Sequence, residues 1–276
     1  VDEYAIFDVA ESSSTITEMF DRVGSGGANI PATTATLVEG FPLPDSTNAE
    51  EILLHWDSII GIDQTGLQAY YKMDDSSGNI ANTGSLTGID GTPSGDPTYG
   101  VTGKVGDAIT FDGDNDYYTL GTTNGAWNFL HDNSDFSVSW WMKMDGTPSE
   151  WQGIMGTGIG GSSIGFEIAV NPSTGQLYAL NENGSGAASI LNSASGFVPS
   201  DGAWHQYTVT FSNGVWTIYR DGGSTSETVT DVISWSSSNH SRSMELGNSN
   251  ANTPGDRQDL TGTLDDVSLW NRVLNT

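Results

Sequence analysis

The 276-residue sequence contains no cysteine, which excludes disulfides, thiolate metal sites, iron–sulfur clusters and cysteine nucleophiles. Basic residues are also scarce, because 8 Lys and Arg stand against 35 Asp and Glu and leave a net charge of -27. We expect no nucleic-acid partner, since affinity for a phosphate backbone comes mostly from Lys and Arg. No apolar run approaches the ~20 residues that a membrane-spanning helix needs, so we expect no membrane insertion. The acidity favours a hydrated surface suited to an exterior environment.

Short β-branched and aromatic runs with period two, separated by Gly, Asn, Asp and Ser, follow Gly66. This pattern predicts an all-β sandwich or barrel. The clearest unit is a hairpin whose turn, Asn213-Gly214, has the residue types of a two-residue type I′ loop. Such a loop fixes the register and predicts two facing pairs, Phe211 with Trp216 and Val209 with Ile218.

A second predicted strand, 136–143, alternates apolar and polar side chains. Because successive side chains of a strand point to opposite faces, Trp140 and Trp141 are predicted to lie on opposite sides of the sheet. One Trp then belongs to the core and the other to the outer surface.

The first part of the chain has a different pattern. We predict a strand and a short helix in residues 1–23, then a linker over 24–65 with a short helix near 47–56. Residues 1–8 match residues 264–271 in polarity and size at every position. Together with a start at Val1, this repeat predicts a piece of a longer tandem protein, or a first strand offered to a neighbouring subunit.

Six sequence blocks resemble, in order, the motifs of laminin-G-like modules in the concanavalin A-like lectin/glucanase group. The blocks are 67–78, 106–118, 136–141, 201–205, 218–222 and 262–274. The resemblance covers 66–276 and implies a two-sheet antiparallel jelly roll, with 1–23 resembling the end of a preceding module.

Calcium is expected from the same resemblance, since similar modules often hold this ion between an early strand, a Phe-Asp-Gly turn and the final strand. Carried over to this chain, the ligands are Asp112, Asp114 and Asp265, with Asp90 as a further candidate. The alternative is that these acids cap turns through their own following backbone. An EF-hand is not expected, because Tyr117 stands where that loop needs Gly.

Catalysis is not expected. Glycan hydrolysis needs two carboxylates facing each other across a sugar, and the sequence lacks the Glu-x-Asp-x-x-Glu strand of this group's glucanases. A triad hydrolase is not indicated either, because no His lies near a Gly-x-Ser-x-Gly elbow. We therefore predict that the chain is not an enzyme.

Glycan binding relies on aromatic faces for the apolar side of a pyranose. Trp141 and Tyr219 are predicted on the outer face of one sheet, and Trp151 and Trp235 on a rim. The alternative is that a loop covers the first two. The sequence thus predicts an extracellular or cell-surface adhesion module of a larger repeat-containing protein, with a glycan or protein partner.

Assembly is the alternative function. A structural subunit of a filament, surface layer or virion appendage would use residues 1–23 to complete the sheet of a neighbour. The residues predicted to carry that strand addition are Val1, Tyr4, Ile6 and Phe7.

Overall fold

The computed structural model describes residues 64–121, 125–146, 149–158, 164–183, 188–223, 228–230, 238, 240, 243–249 and 258–274. The chain divides into two units, 1–49 and 50–276, and all described residues belong to the second. The predicted segment 1–23, its assembly residues and nearly all of the predicted linker 24–65 lie outside the described residues.

Fifteen strands and one 3₁₀ turn lie within the described part of the chain. In chain order these are β1 (Leu67–Tyr71), β2 (Gly91–Ser94), β3 (Thr98–Thr102), β4 (Asp107–Asp112), β5 (Tyr117–Leu120), the 3₁₀ turn (Asn128–Leu130), β6 (Phe136–Asp145), β7 (Gln152–Gly156), β8 (Ile164–Asn171), β9 (Gln176–Asn183), β10 (Ala188–Asn192), β11 (Asp201–Ser212), β12 (Val215–Arg220), β13 (Thr228–Thr230), β14 (Met244–Leu246) and β15 (Thr261–Trp270). No helix among these residues has the length and apolar character to cross a bilayer.

The strands form two antiparallel sheets. One has eight strands in the order β13-β12-β11-β6-β15-β4-β3, with β1 also pairing to β15. The other has seven strands in the order β10-β9-β8-β7-β14-β5-β2. This arrangement confirms the predicted all-β, two-sheet antiparallel jelly-roll sandwich.

The core lies between the sheets and is rich in aromatic side chains. Phe136 of the eight-stranded sheet stacks on Phe211 at 5.3 Å between ring centroids and meets Phe166 of the other sheet edge-on at 5.7 Å. All three are fully buried. Truncating a ring of this kind to alanine typically costs about 3–5 kcal/mol, so this cluster is a main support of the sandwich.

The predicted hairpin joins β11 and β12. Asn213 and Gly214 have φ values of 48° and 77°, the positive values that a type I′ turn requires. The facing pairs are those expected, Phe211 with Trp216 and Val209 with Ile218.

The predicted orientation of the two adjacent tryptophans on β6 is also confirmed. Trp140 is fully buried in the core, whereas Trp141 is only partly buried and lies on the outer face.

Strand β15 lies at the centre of the eight-stranded sheet, with β6 on one side and β4 with β1 on the other. Its register against β6 shifts between Asp265 and Ser268, where Asp266 has a φ of 47°. An extra residue in this conformation is a β-bulge. The segment repeated at residues 1–8 therefore corresponds to most of a central strand that is paired on both sides.

Candidate functional site

The outer face of the seven-stranded sheet carries the candidate site. On β8, Phe166 and Ile168 point into the core, so Glu167 between them points outward. On β9, Leu177 and Ala179 belong to the core. The residues that alternate with them on the outer face are Tyr178, Leu180 and Glu182.

An aromatic pair occupies part of this face. Trp151, in the connection before β7, meets Tyr178 edge-on, with ring centroids 5.6 Å apart and an interplanar angle of 74°. Ala169 lies opposite both Gly153 of β7 and Tyr178 of β9. Because the β8 residue between the two rings is the small Ala169, the indole can reach across β8, while backbone atoms of Ser249 and Gln258 fill the space above Gly153. Both rings are partly exposed.

Glu167 lies diagonally beside Tyr178, because its direct partner on β9 is Leu180. The carboxylate is 1% exposed, and among the described residues its Oε1 atom has no hydrogen-bond partner. Burial raises the pKa of Glu167 to about 7, the Ser249 side chain opposes that rise, and the charge of Glu182 adds to it. Glu167 is therefore poised between its neutral and ionised forms near neutral pH.

Glu182 is the other diagonal neighbour of Glu167 on β9, at a separation of about 7–8 Å for such pairs. Burial raises the pKa of Tyr178 to about 12, and the charges of Glu167 and Glu182 contribute in the same direction. The negative charges of two carboxylates thus disfavour ionisation of the Tyr178 hydroxyl. We call Trp151, Tyr178, Glu167 and Glu182 the acidic aromatic corner.

A chain segment passes over β7 beside the corner. A Cβ atom at Gly156 would lie 2.7 Å from the carbonyl oxygen of Ser249, so only glycine fits beneath this segment. Gly156 faces Glu167 on one side and Glu245, which is 9% exposed, on the other. The crossing explains why an outward-pointing residue such as Glu167 is buried.

The predicted platform of Trp141 and Tyr219 lies on the outer face of the other sheet, with β11 between the two strands. From the register, their Cα atoms are about 12 Å apart. The Lys104 ammonium lies over the Trp141 ring at 5.1 Å from its centroid. The chain itself therefore covers part of this tryptophan, and binding at this platform stays a prediction. Trp235 lies outside the described residues.

The four predicted calcium ligands are not gathered around one point. Asp112 faces Thr261 while Leu264 faces Ile109, so Asp265 lies four residues, or about 13 Å, along β4 from Asp112. The buried Asp265 accepts hydrogen bonds from the N–H groups of Lys104 and Val105 at 2.7 and 2.9 Å. These contacts fix the loop between β3 and β4.

The remaining carboxylates have local roles. Asp112 accepts a hydrogen bond from the Asp114 N–H at 2.8 Å, which is an Asx turn. Asp114 accepts one from the Asn115 side chain at 2.7 Å, and Asp90 accepts one from the Asn82 N–H at 2.9 Å. Within the described ranges, no group of three or more His, Cys, Asp or Glu residues could hold a metal ion. The four carboxylates thus do not fit one calcium ion, and calcium binding stays a prediction.

A family model described as the concanavalin A-like lectin/glucanases superfamily, of the laminin G type, matches residues 112–276. The chain belongs to this family. The match confirms the resemblance found in the sequence blocks. No curated protein matches the chain.

Solved structures share the fold at low identity. The receptor-binding domain of the botulinum neurotoxin C/D mosaic serotype has a TM-score of 0.55 and 13% identity, covering 76% of this chain and 49% of that chain. The binding domain of botulinum neurotoxin DC, solved with rat synaptotagmin II, gives 0.55 and 12%, over 76% and 49%. A Trypanosoma rangeli sialidase, solved with sialic acid, gives 0.52 and 15%, over 76% and 31%.

The chain therefore spans about half the length of the toxin domains that it matches. At these identities the likeness shows the fold alone. Since the fold occurs in binding domains and in a sialidase chain, the absence of enzymatic activity stays a prediction.

Sequence reasoning selected Trp151 but missed Tyr178, Glu167 and Glu182 as its neighbours. The available signal was the period-two pattern of 176–182, where Gln, Tyr, Leu and Glu alternate with apolar or amide residues. That pattern defines a face of one strand. The pairing of β7, β8 and β9 decides which side chains meet there.

Proposed function

We propose that this chain is a recognition module of a larger repeat-containing extracellular or surface protein, and that it binds a glycan at the acidic aromatic corner. The observation that carries this proposal is the partly exposed Trp151–Tyr178 pair beside two carboxylates on one sheet face. A protein partner is the other ligand class that this face suits.

The chemistry of the corner matches what sugar recognition needs. An aromatic ring takes the apolar face of a pyranose, while polar groups fix its hydroxyls. Tyr178 supplies both a ring and a hydroxyl, and Glu182 supplies a partly exposed acceptor. The corner suits a sugar better than Trp141, because the Lys104 ammonium already lies over the Trp141 ring.

Proteins with this fold support the ligand class. One neighbouring botulinum neurotoxin binding domain was solved in complex with SialylT. Botulinum neurotoxin type C, to which another neighbouring structure belongs, depends on interaction with two ganglioside molecules to enter cells. A third neighbour was solved with rat synaptotagmin II, which supports the alternative of a protein partner.

A glycan array tests the proposal. We expect saturable binding by the wild-type chain, loss of most of that binding in Trp151→Ala, and retention in Trp141→Ala. Each variant needs the wild-type melting temperature for the comparison to count. Loss in Trp141→Ala with retention in Trp151→Ala would instead favour the platform on the eight-stranded sheet, and no glycan binding by the wild type would overturn glycan recognition.

Assembly by strand addition is a second candidate, favoured by one observation. The segment 1–8 repeats the pattern of 264–271, which in β15 is paired on both sides. A free strand of this pattern invites pairing with another sheet. Light scattering after size exclusion tests it. Mass should grow with concentration for the wild type and stay monomeric for Ile6→Lys with Phe7→Lys, while monomers for both would reject assembly.

A further inference from the structure

In the described part of the chain, most cationic side chains lie against aromatic rings. Of the five Lys and Arg residues that the structure describes, four lie over a ring, at centroid distances between 5.1 and 5.5 Å. These pairs are Lys104 with Trp141, Lys143 with Trp204, Arg220 with Phe197 and Arg272 with Trp270.

The acidic aromatic corner differs from these four places. Within the described part of the chain, no Lys or Arg lies over Trp151 or Tyr178. The two rings meet edge-on and are partly exposed. The face of an aromatic ring is electron-rich and attracts a cation. Glu182 adds negative charge at the same spot, and Glu167 does so when it is ionised. The corner thus combines two aromatic rings with two carboxylates, which are the features of a cation site.

Glu167 is the independent sign that a ligand belongs here. A carboxyl group that is 1% exposed and leaves Oε1 without a hydrogen-bond partner among the described residues is costly to keep in a folded protein. The group faces the side of the sheet that carries Tyr178. A positive charge bound at the corner would offset the cost of ionising this carboxyl.

We propose that the acidic aromatic corner binds a glycan unit that carries a protonated amine, with Trp151 and Tyr178 against the pyranose and Glu167 and Glu182 facing the ammonium group. This inference rests on the glycan recognition proposed above and names its ligand class. An amino sugar satisfies both halves of the corner, because its ring is apolar on one face and its charge lies one bond from the ring. The net charge of -27 favours the approach of such a ligand over that of an acidic one.

Glu167 acts from beneath the surface rather than by direct contact. At a diagonal distance of about 7–8 Å between cross-strand neighbours, a buried charge still interacts strongly, since a low-dielectric interior screens it little. Because burial raises the pKa of Glu167 to about 7, the free protein carries this group mainly neutral at pH 6. An ammonium at the corner stabilises the carboxylate, so ligand binding releases the proton of Glu167 to the buffer.

The test is isothermal titration calorimetry at pH 6 with two probes that differ at the nitrogen, the glucosamine trimer and the N-acetylglucosamine trimer. We expect the charged trimer to bind at least about tenfold more tightly, as a modest cation–π and ion-pair gain requires. Repeating the titration in buffers of different ionisation enthalpy measures the number of protons that are released when the trimer binds. We expect release of about half a proton or more with the charged trimer and none with the acetylated one.

Two variants separate the contributions. Glu167→Gln has nearly the same shape, and we expect it to abolish proton release and to weaken the preference for the charged trimer several-fold. Glu182→Gln should weaken that preference but keep the proton release. Asp135→Asn is the matched control, because it removes one charge from an exposed position just before β6. The ten residues of β6 separate this position from the connection that leads to Trp151. It should behave as the wild type.

The outcomes are distinguishable from those of the proposed function. Equal affinity for the two trimers, or proton release that persists in Glu167→Gln, would overturn the ammonium inference while leaving glycan recognition in place. If neither trimer binds but a neutral glycan on the array does so through Trp151, the inference also falls and the proposed function stands. If neither trimer binds and no glycan on the array binds, both the ammonium inference and the proposed glycan recognition are rejected.

Discussion

Glu167 combines almost complete burial with a carboxyl oxygen that has no hydrogen-bond partner among the described residues. In such a place the neutral acid is favoured over the carboxylate, because the charged form loses its hydration. Asp265 and Asp266 share this behaviour, since burial raises their pKa values to about 7 and about 6. These three acidic groups thus resist ionisation in the folded chain, and burial raises the pKa of Asp116 as well.

The raised pKa of Glu167 makes stability depend on pH. This pKa rises from 4.5 to about 7 on folding, so between these values the folded chain binds more protons than the unfolded one. The free energy of unfolding therefore falls as pH rises through this window, by up to about 3 kcal/mol for this group. We expect the melting temperature of Glu167→Gln to fall clearly less than that of the wild type when the pH is raised from about 5 to about 8.

Asp135→Asn serves as the control for that comparison and should keep the wild-type slope. If thermal melts of Glu167→Gln and of the wild type fall in parallel over this pH range, Glu167 does not ionise in the folded chain as described. The variant then also loses its use as a probe of the acidic aromatic corner.

At the level of elements, the crossing of the 247–249 segment over β7 depends on glycine. At Gly156 a Cβ atom would lie 2.7 Å from the carbonyl oxygen of Ser249 and 3.0 Å from that of Phe166. Both obstacles are backbone atoms, which cannot turn aside as a side chain can. The crossing segment in turn covers Glu167.

We therefore expect Gly156→Ala to lower the free energy of unfolding by about 1–3 kcal/mol, because overpacking a tight contact forces backbone shifts. Urea unfolding measures the change. Gly78→Ala is a contrasting variant, since no atom lies within 4 Å of a Cβ atom there and any loss of stability comes from the positive φ of 72° rather than from a contact. A Gly156→Ala variant as stable as the wild type would show that the crossing is not tightly packed.

Individual strands and turns were predictable from the sequence. The hairpin at Asn213-Gly214 has the register that its two-residue turn dictates, because the turn type and the period of two are local properties. The orientation of Trp140 and Trp141 follows from the same alternation. The order of the sequence blocks indicated the two-sheet sandwich as well.

The acidic aromatic corner was not predictable in the same way. Trp151 meets Tyr178 only because β8 lies between β7 and β9 and offers Ala169 at the row that separates them. The burial of Glu167 depends on a segment that arrives from 247–249, about eighty residues further along the chain. Contacts of this kind depend on the pairing of distant strands, which local patterns do not specify.

The whole molecule carries 35 acidic and only 8 basic side chains, for a net charge of -27. Such an excess of one sign destabilises the compact state by self-repulsion, and salt screens this repulsion. We expect the melting temperature to rise by several degrees between about 20 mM and about 500 mM sodium chloride. Differential scanning calorimetry measures it, and a melting temperature that stays constant or falls with salt would contradict this view.

Our central proposal is that ligands bind the outer face of the seven-stranded sheet. Hydrogen–deuterium exchange of the full chain, with and without the strongest-binding glycan of the array, tests it most directly. We predict that the glycan slows amide exchange in the connection that carries Trp151 and in β8 and β9, and leaves β6, β11 and β12 unchanged. Protection confined to β6, β11 and β12, around Trp141 and Tyr219, would contradict it.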